Sequence, residues 1–262
     1  MDGRSARLCS GAVLQAILWG LIQGLTEFLP VSSSGHLVLV PAMLGVDPPD
    51  LATTAVLHLG TLIAVLTYYR RDIAALLRFD DKARHLWWLL IVGTLPALIG
   101  LALKDQIDTF QRSYTLVAIA LLVSGAVLLA SQLIHKRTRT VEEETTAGAL
   151  VIGIAQALAM VPGISRSGMT ITAGLGRGLD AEQAARYSFL LAIPAIAGGG
   201  LLEAVELSSA GSFTTSVWVA MVVAAVSGYL AIAFLIRVLV KRGLVPFAIY
   251  SLAVGAVALI LL

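Results

Sequence analysis

Charged side chains are scarce in this sequence. Of its 262 residues only 13% are Asp, Glu, Lys or Arg, against 58% that are hydrophobic, and the mean hydropathy is +0.90. Soluble domains carry roughly 25% charged residues, so a water-soluble globule is excluded. So is a disordered chain, whose mark is low hydrophobicity with high charge. The single cysteine, Cys9, excludes an intrachain disulfide and offers no zinc or redox spacing; it reads as a packing residue. A net charge of +2 is too small to favour a polyanion, and no nucleic-acid partner is expected. Arg4 and Arg7 precede an apolar stretch as in a signal peptide, but no small-residue cleavage site follows. The segment is therefore expected to stay attached.

What the chain has instead is long uncharged runs. Residues 8–26, 51–69, 86–103, 113–134, 145–165, 207–236 and 243–262 contain no Asp, Glu, Lys or Arg. Each approaches the about 20 residues that carry a helix across a bilayer. Two stretches break this pattern: Pro30-Val31-Ser32-Ser33-Ser34-Gly35-His36 and Pro162-Gly163-Ile164-Ser165-Arg166-Ser167-Gly168. Proline removes a backbone donor, and Ser and Gly favour caps and turns over helix interiors, so both helices should stop there. Irregular backbone at membrane depth survives only inside protein or beside a wet cavity.

Laid on itself at one fixed offset, the chain superposes Gly20 on Gly153, Gln23 on Gln156, Leu25 on Leu158, Ser32 on Ser165, Ser34 on Ser167 and Gly35 on Gly168. Helices broken at matching places point to an internal repeat with its site at the repeat interface. The expected fold class is an all-α polytopic membrane protein with six transmembrane helices plus two re-entrant broken-helix hairpins in an inverted repeat. The expected spans are 53–69, 86–103, 113–134, 184–202, 217–236 and 244–262. Residues 1–262 form a single integral membrane domain, with a first repeat at 1–135, a linker at 136–146 and a second repeat at 147–262. The basic clusters Arg70/Arg71/Arg78/Lys82/Arg84, Lys136/Arg137/Arg139 and Arg237/Lys241/Arg242 then fall together on the cytoplasmic side. Arg4 and Arg7 fall outside, against that trend.

Ionisable residues inside membrane segments are costly and mark function by default. Glu27 lies one turn after Gln23 and just before the first break, His36 follows that break, and Arg166 stands in the second. The simplest structural role for these groups is a buried Glu27–Arg166 ion pair that holds the breaks. The serines suit N-caps of two half-helices, and helix N-termini together with a guanidinium fork favour a phosphate or pyrophosphate. Glu27, His36 and the hydroxyls also supply proton carriers and nucleophiles.

The segment Gln23-Gly24-Leu25-Thr26-Glu27-Phe28-Leu29-Pro30-Val31-Ser32-Ser33-Ser34-Gly35-His36, with Pro162 to Thr170 and the late Pro246-Phe247-Ala248-Ile249-Tyr250, resembles the signatures of the bacterial undecaprenyl pyrophosphate phosphatase family, the bacitracin-resistance proteins. The resemblance implies hydrolysis of a C55 isoprenyl pyrophosphate to the monophosphate, recycling the lipid carrier of cell-wall synthesis. It also implies a plasma-membrane location, with the site facing the periplasm or cell exterior. Magnesium or calcium is implied as cofactor, with Glu27 as metal ligand. The family motif is Glu or Gln, three residues, then Glu, and Gln23 gives the form without a second carboxylate. The expected roles are Arg166, Ser165, Ser167 and Thr170 on the pyrophosphate, with Gln23, Ser32 and Ser34 completing the binding set. Glu27 serves as base or metal ligand, and Ser33 as nucleophile with His36 orienting it. Attack by His36 or by water stays open.

The rival reading is a transporter or flippase for a phosphorylated lipid or other anion, because broken helices in inverted repeats are also transporter architecture. A membrane scaffold would leave the polar breaks unexplained. Gly198-Gly199-Gly200 permits close packing within one chain or between two, so a homodimer is open. His58 reads as a hydrogen-bonded structural group in its apolar span, and Trp87, Trp88, Tyr68 and Tyr69 read as interfacial aromatics. His85 and His135 adjoin basic loops and read as solvated. Glu142-Glu143-Glu144 reads as a wet linker, and Glu203 with Glu206 as a solvated span end.

Overall fold

Backbone amides in so apolar a chain must bond within their own segment, and they do so as helices. The computed structural model describes residues 3–134, 137–207 and 215–262. In chain order the helices are α1 Gly3–Phe28, α2 Ser33–Leu44, α3 Leu51–Tyr68, α4 Arg70–Leu76, α5 Asp81–Thr94, α6 Ile99–Ala102, α7 Lys104–Gln111, α8 Tyr114–Ala130, α9 Thr146–Leu158, α10 Arg166–Gly176, α11 Ala181–Leu207, α12 Thr215–Arg242 and α13 Val245–Leu261. Among the described residues the only β pairing is an isolated bridge, Arg139 with Leu179. Cys9, Arg4, Arg7, His135, Glu203 and Glu206 lie outside the residues whose side chains are described.

The outer faces are apolar. Ile119, Val123 and Leu129 on α8, Val222, Val226, Leu230 and Phe234 on α12, and Ile249 and Val257 on α13 are all exposed. Tyr114–Leu133 and Thr215–Arg242 are long and apolar enough to cross a bilayer by length and composition. The inner faces meet at small residues. An added Cβ on Gly24 of α1 would come within 2.6 Å of the Ala224 carbonyl of α12, and one on Gly153 of α9 within 2.5 Å of the Gly93 carbonyl of α5.

Helix packing is reciprocal. α1 lies on α12 and α9 on α5; α12 lies on α3 and α5 on α11; α8 lies on α13. The offset that superposes Ser32 on Ser165 carries the start of α2 onto that of α10, and the body of α1 onto α9, α3 onto α11, α5 onto α12 and α8 onto α13. Each contact thus maps onto its counterpart, and the α8–α13 contact onto itself.

Two sequence expectations change. The stretch 86–103 is not one helix: α5 ends at Thr94, and Pro96 sits in a 3-10 turn, Leu95–Leu98, before α6. Proline has no N–H to continue the ladder. The acidic linker is not merely wet either. Glu144 is buried with Arg177 at 3.5 Å and Arg139 at 3.8 Å, and Arg186 reaches Asp72 at 2.6 Å and Glu142 at 2.9 Å. His85 also bonds the Glu144 carbonyl. Four otherwise separate segments converge on this end of the bundle.

Both breaks occur where expected. Between α1 and α2 the chain turns through Pro30, with the Val31 amide donating to the Leu29 carbonyl at 2.7 Å. Between α9 and α10 it turns at Gly163, φ +98°, where a Cβ would lie 2.4 Å from the Val117 carbonyl. Gly163→Ala combines that clash with left-handed strain of about 1–3 kcal/mol. It should sharply lower the melting temperature in detergent, whereas Gly45→Ala, at φ +64° with open space around it, carries the strain without the clash and should lower it less.

Candidate active site

The two breaks touch. An added Cβ on Gly35 would lie 3.1 Å from Gly163 Cα, and Ser167 Oγ of α10 donates to the Leu29 carbonyl in the first break at 3.2 Å. Each half-helix opens on the same device. Ser32 Oγ accepts from the Gly35 amide at 3.2 Å and Ser165 Oγ from the Gly168 amide at 3.1 Å. Both are N-caps of the type that satisfies an orphan amide. The hydroxyl pairs Ser32–Ser34 and Ser165–Ser167 each stand at 3.3 Å. Ser32 holds its cap at φ +70°, a conformation that costs a non-glycine residue about 1–3 kcal/mol.

These caps bring the chemical groups together. Arg166 Nη2 donates to Glu27 Oε1 at 2.7 Å, and Ser33 Oγ donates to Glu27 Oε2 at 2.6 Å. Gln23 Nε2 donates to the same Oε2 at 3.2 Å from one turn earlier on α1. The ion pair is nearly enclosed, with side-chain exposures of 16% for Arg166 and 9% for Glu27. Arg166 Nη1 and Gln23 Oε1 are buried without a partner among the described residues. A cavity of about 170 Å³ opens beside the pair, lined by Glu27, His58, Arg166, Ala195, Ile196, Gly199 and Gly200.

Other expected residues face elsewhere. His36 does not contact Ser33: its Nδ1 lies 2.7 Å from the Ser32 carbonyl and its Nε2 2.9 Å from the Tyr250 hydroxyl, against which the ring stacks at 5.6 Å. A carbonyl can only accept, so a neutral ring carries its proton on Nδ1 and takes the Tyr250 hydroxyl at Nε2. Thr170 is buried, and its hydroxyl bonds the Arg166 carbonyl at 2.8 Å and Ser188 at 2.6 Å, bracing α10 against α11. Ser165 also receives support, its amide donating to Ser124 Oγ of α8 at 3.1 Å. Ser124, Ser188, the bond of Tyr250 to His36 and the cavity position of His58 escaped the sequence reading. For the serines and His58 the available signal was a polar side chain inside an uncharged run.

Apolar outer faces around a buried polar centre, with two helix N-termini and a guanidinium gathered on one carboxylate and one hydroxyl, define a helical membrane protein. Residues 16–257 match the family described as "Bacitracin resistance protein BacA", and the chain belongs to that family. Relatives named "Undecaprenyl-diphosphatase" include one from Mycobacterium sp. (strain KMS), 44% identical over 95% of this chain and 96% of the relative. One from Alcanivorax borkumensis is 44% identical over 94% and 97%, and one from Methanosphaera stadtmanae 40% identical over 95% and 98%.

The ion pair carries a stability prediction. Glu27→Gln leaves the Arg166 charge buried without a counterion and should cost about 3–5 kcal/mol. The double variant Glu27→Gln/Arg166→Met removes both charges and should recover much of that loss. A double-mutant cycle from thermal or denaturant melts checks the coupling, and additive losses would show that the pair is not energetically linked.

Proposed function

We propose that this chain is a membrane phosphatase that hydrolyses undecaprenyl pyrophosphate to undecaprenyl phosphate and inorganic phosphate. Family membership and the names of its relatives support that substrate. The observation that carries the chemistry is Glu27 bonded at once to Ser33 and Arg166. Arg166 spends one Nη on Glu27 and keeps the other for a phosphate oxygen, so the guanidinium bridges carboxylate and substrate. The N-terminal ends of α2 and α10 add partial positive charge where negative charge gathers.

Ser33 is the nucleophile in this reading. Its Oγ attacks the terminal phosphorus while its proton passes to Glu27 Oε2. The bond from phosphorus to the bridging oxygen breaks, and the lipid monophosphate departs with that oxygen. Water then attacks the phosphoserine, Glu27 gives the proton it took back to Ser33 Oγ as that oxygen leaves, the water's protons stay on the phosphate, and inorganic phosphate departs with the site restored. His36, tied to Tyr250 and to the Ser32 carbonyl, holds the first break in shape. Phosphoryl transfer depends mostly on positioning and charge stabilisation, which suits so preformed a cluster.

A divalent cation fits beside this cluster in one way. No group of three or more His, Cys, Asp or Glu residues suited to a metal occurs among the described residues, so the protein alone offers too few ligands. The orphaned Gln23 Oε1 next to Glu27 supplies two neighbouring oxygen donors. Magnesium commonly completes its shell with substrate phosphates. Gln23 and Glu27 would hold magnesium or calcium together with the diphosphate, and the ion would neutralise phosphate charge.

The same reading sets six spans and two re-entrant hairpins in an inverted repeat, supported by the reciprocal packing and the matched caps. It places the chain in a bacterial plasma membrane with the site open to the outer side. Support for that side comes from the basic loops, several of which meet around Asp72, Arg139 and Arg186. Gly198 has open space about it and suits close packing of a second copy.

Phosphate release from long-chain isoprenyl pyrophosphate by the purified protein in detergent tests the assignment. Arg166→Lys keeps charge but loses the fork. It should lower kcat/KM about a hundredfold or more, and Glu27→Gln further still, by analogy with lost transition-state donors. Chelator should abolish release and added magnesium or calcium should restore it. Substrate binding without phosphate release would point to a carrier instead.

A further inference from the structure

The cavity beside Glu27 has an electrostatic gap. Glu27 and Arg166, of opposite sign, face each other at 2.7 Å. Ala195, Ile196, Gly199 and Gly200 on the wall supplied by α11 offer no side-chain donor. A diphosphate entering this space brings several anionic oxygens and finds on its wall one guanidinium, already bonded to Glu27. The remaining polar side chain on the wall is His58 of α3.

Several polar groups inside the uncharged runs serve packing. Thr61 donates to the His58 carbonyl at 2.9 Å, Ser227 to the Val223 carbonyl at 2.7 Å, and Ser124 holds the Ser165 amide. His58 differs from them in bordering a cavity, where it is half-buried. The run of glycines on α11 preserves that opening. An added Cβ on Gly200 would stand 3.8 Å from His58 Cβ, and one on Gly199 would meet nothing within 4 Å. No packing contact therefore requires glycine at 199, and a side chain there would have room only by entering open space.

We propose that His58 is a substrate-binding residue of this site, donating a ring N–H to an oxygen of the diphosphate from the side opposite the serine breaks. The assignment rests on the diphosphatase reading above. A neutral imidazole supplies one such donor, and a protonated ring adds charge to it. The third donor explains how a cavity whose only formal charges sum to zero takes an anion.

The test compares His58→Leu, which removes the donor, with His58→Gln, which keeps an N–H. A charge-assisted hydrogen bond lost from a phosphate predicts about a tenfold or greater fall in kcat/KM for the leucine variant. The inhibition constant of inorganic pyrophosphate should rise by a similar factor, while the glutamine variant stays within about threefold of wild type on both. Wild-type protein supplies a readout independent of folding: saturating pyrophosphate should slow carbethoxylation of His58, followed by mass spectrometry, and leave His85 unchanged. Equal losses in the two variants, no loss in either, or unprotected His58 would overturn the assignment. Phosphate release with His58 unprotected would sink this inference alone. Protection of His58 in a protein that releases no phosphate would sink the hydrolase reading and keep the binding site.

Discussion

One buried ion pair joins the two halves of this chain. Glu27 and Arg166 are 139 residues apart and meet at 2.7 Å with little access to solvent. Removing either ion from water costs several kcal/mol, so neither is tolerable at that depth without the other. The breaks in the helices are what allow them to meet. Had α9 continued straight through Pro162, Arg166 would have been carried on along that helix, and had α1 continued through Pro30, Ser33 would have been carried away from Glu27 in the same way. The caps at Ser32 and Ser165, the touching glycines and the Ser167 bond to Leu29 all serve to hold that geometry.

Most of this centre was legible because its causes are local. Proline ends a helix by its own covalent structure, so the breaks at Pro30 and Pro162 followed from the sequence, while the half-helices, expected to begin near His36 and Met169, start about one turn earlier at Ser33 and Arg166. The Glu27–Arg166 pair was legible for a different reason: an unpaired charge in an apolar chain demands a partner, and few candidates existed. The His36–Tyr250 contact spans 214 residues and depends on how α13 lies against α2, which no local rule supplies. His58 was discounted for the same reason, since its role depends on α11 passing with glycines. Glu144 misled because three consecutive acids look solvated until Arg139 and Arg177 close over one of them. The helix break at Pro96 could have been read from proline alone.

The two halves share a scaffold and differ in chemistry. Their N-cap bonds measure 3.2 Å in the first half and 3.1 Å in the second, and their hydroxyl pairs 3.3 Å in both. At the offset that aligns those caps, Glu27 falls on Met160, Ser33 on Arg166 and His36 on Met169. What is common to both copies is therefore the means of turning a helix and presenting its N-terminus. What differs is the set of side chains placed there. Two identical carboxylates facing across the breaks would repel, and two guanidiniums would do the same. Opposite charges at non-equivalent positions turn that contact into an attraction. Divergence at these few positions thus lets the two breaks meet at all, and it leaves a hydroxyl and a carboxylate on one side of the contact with a guanidinium fork on the other.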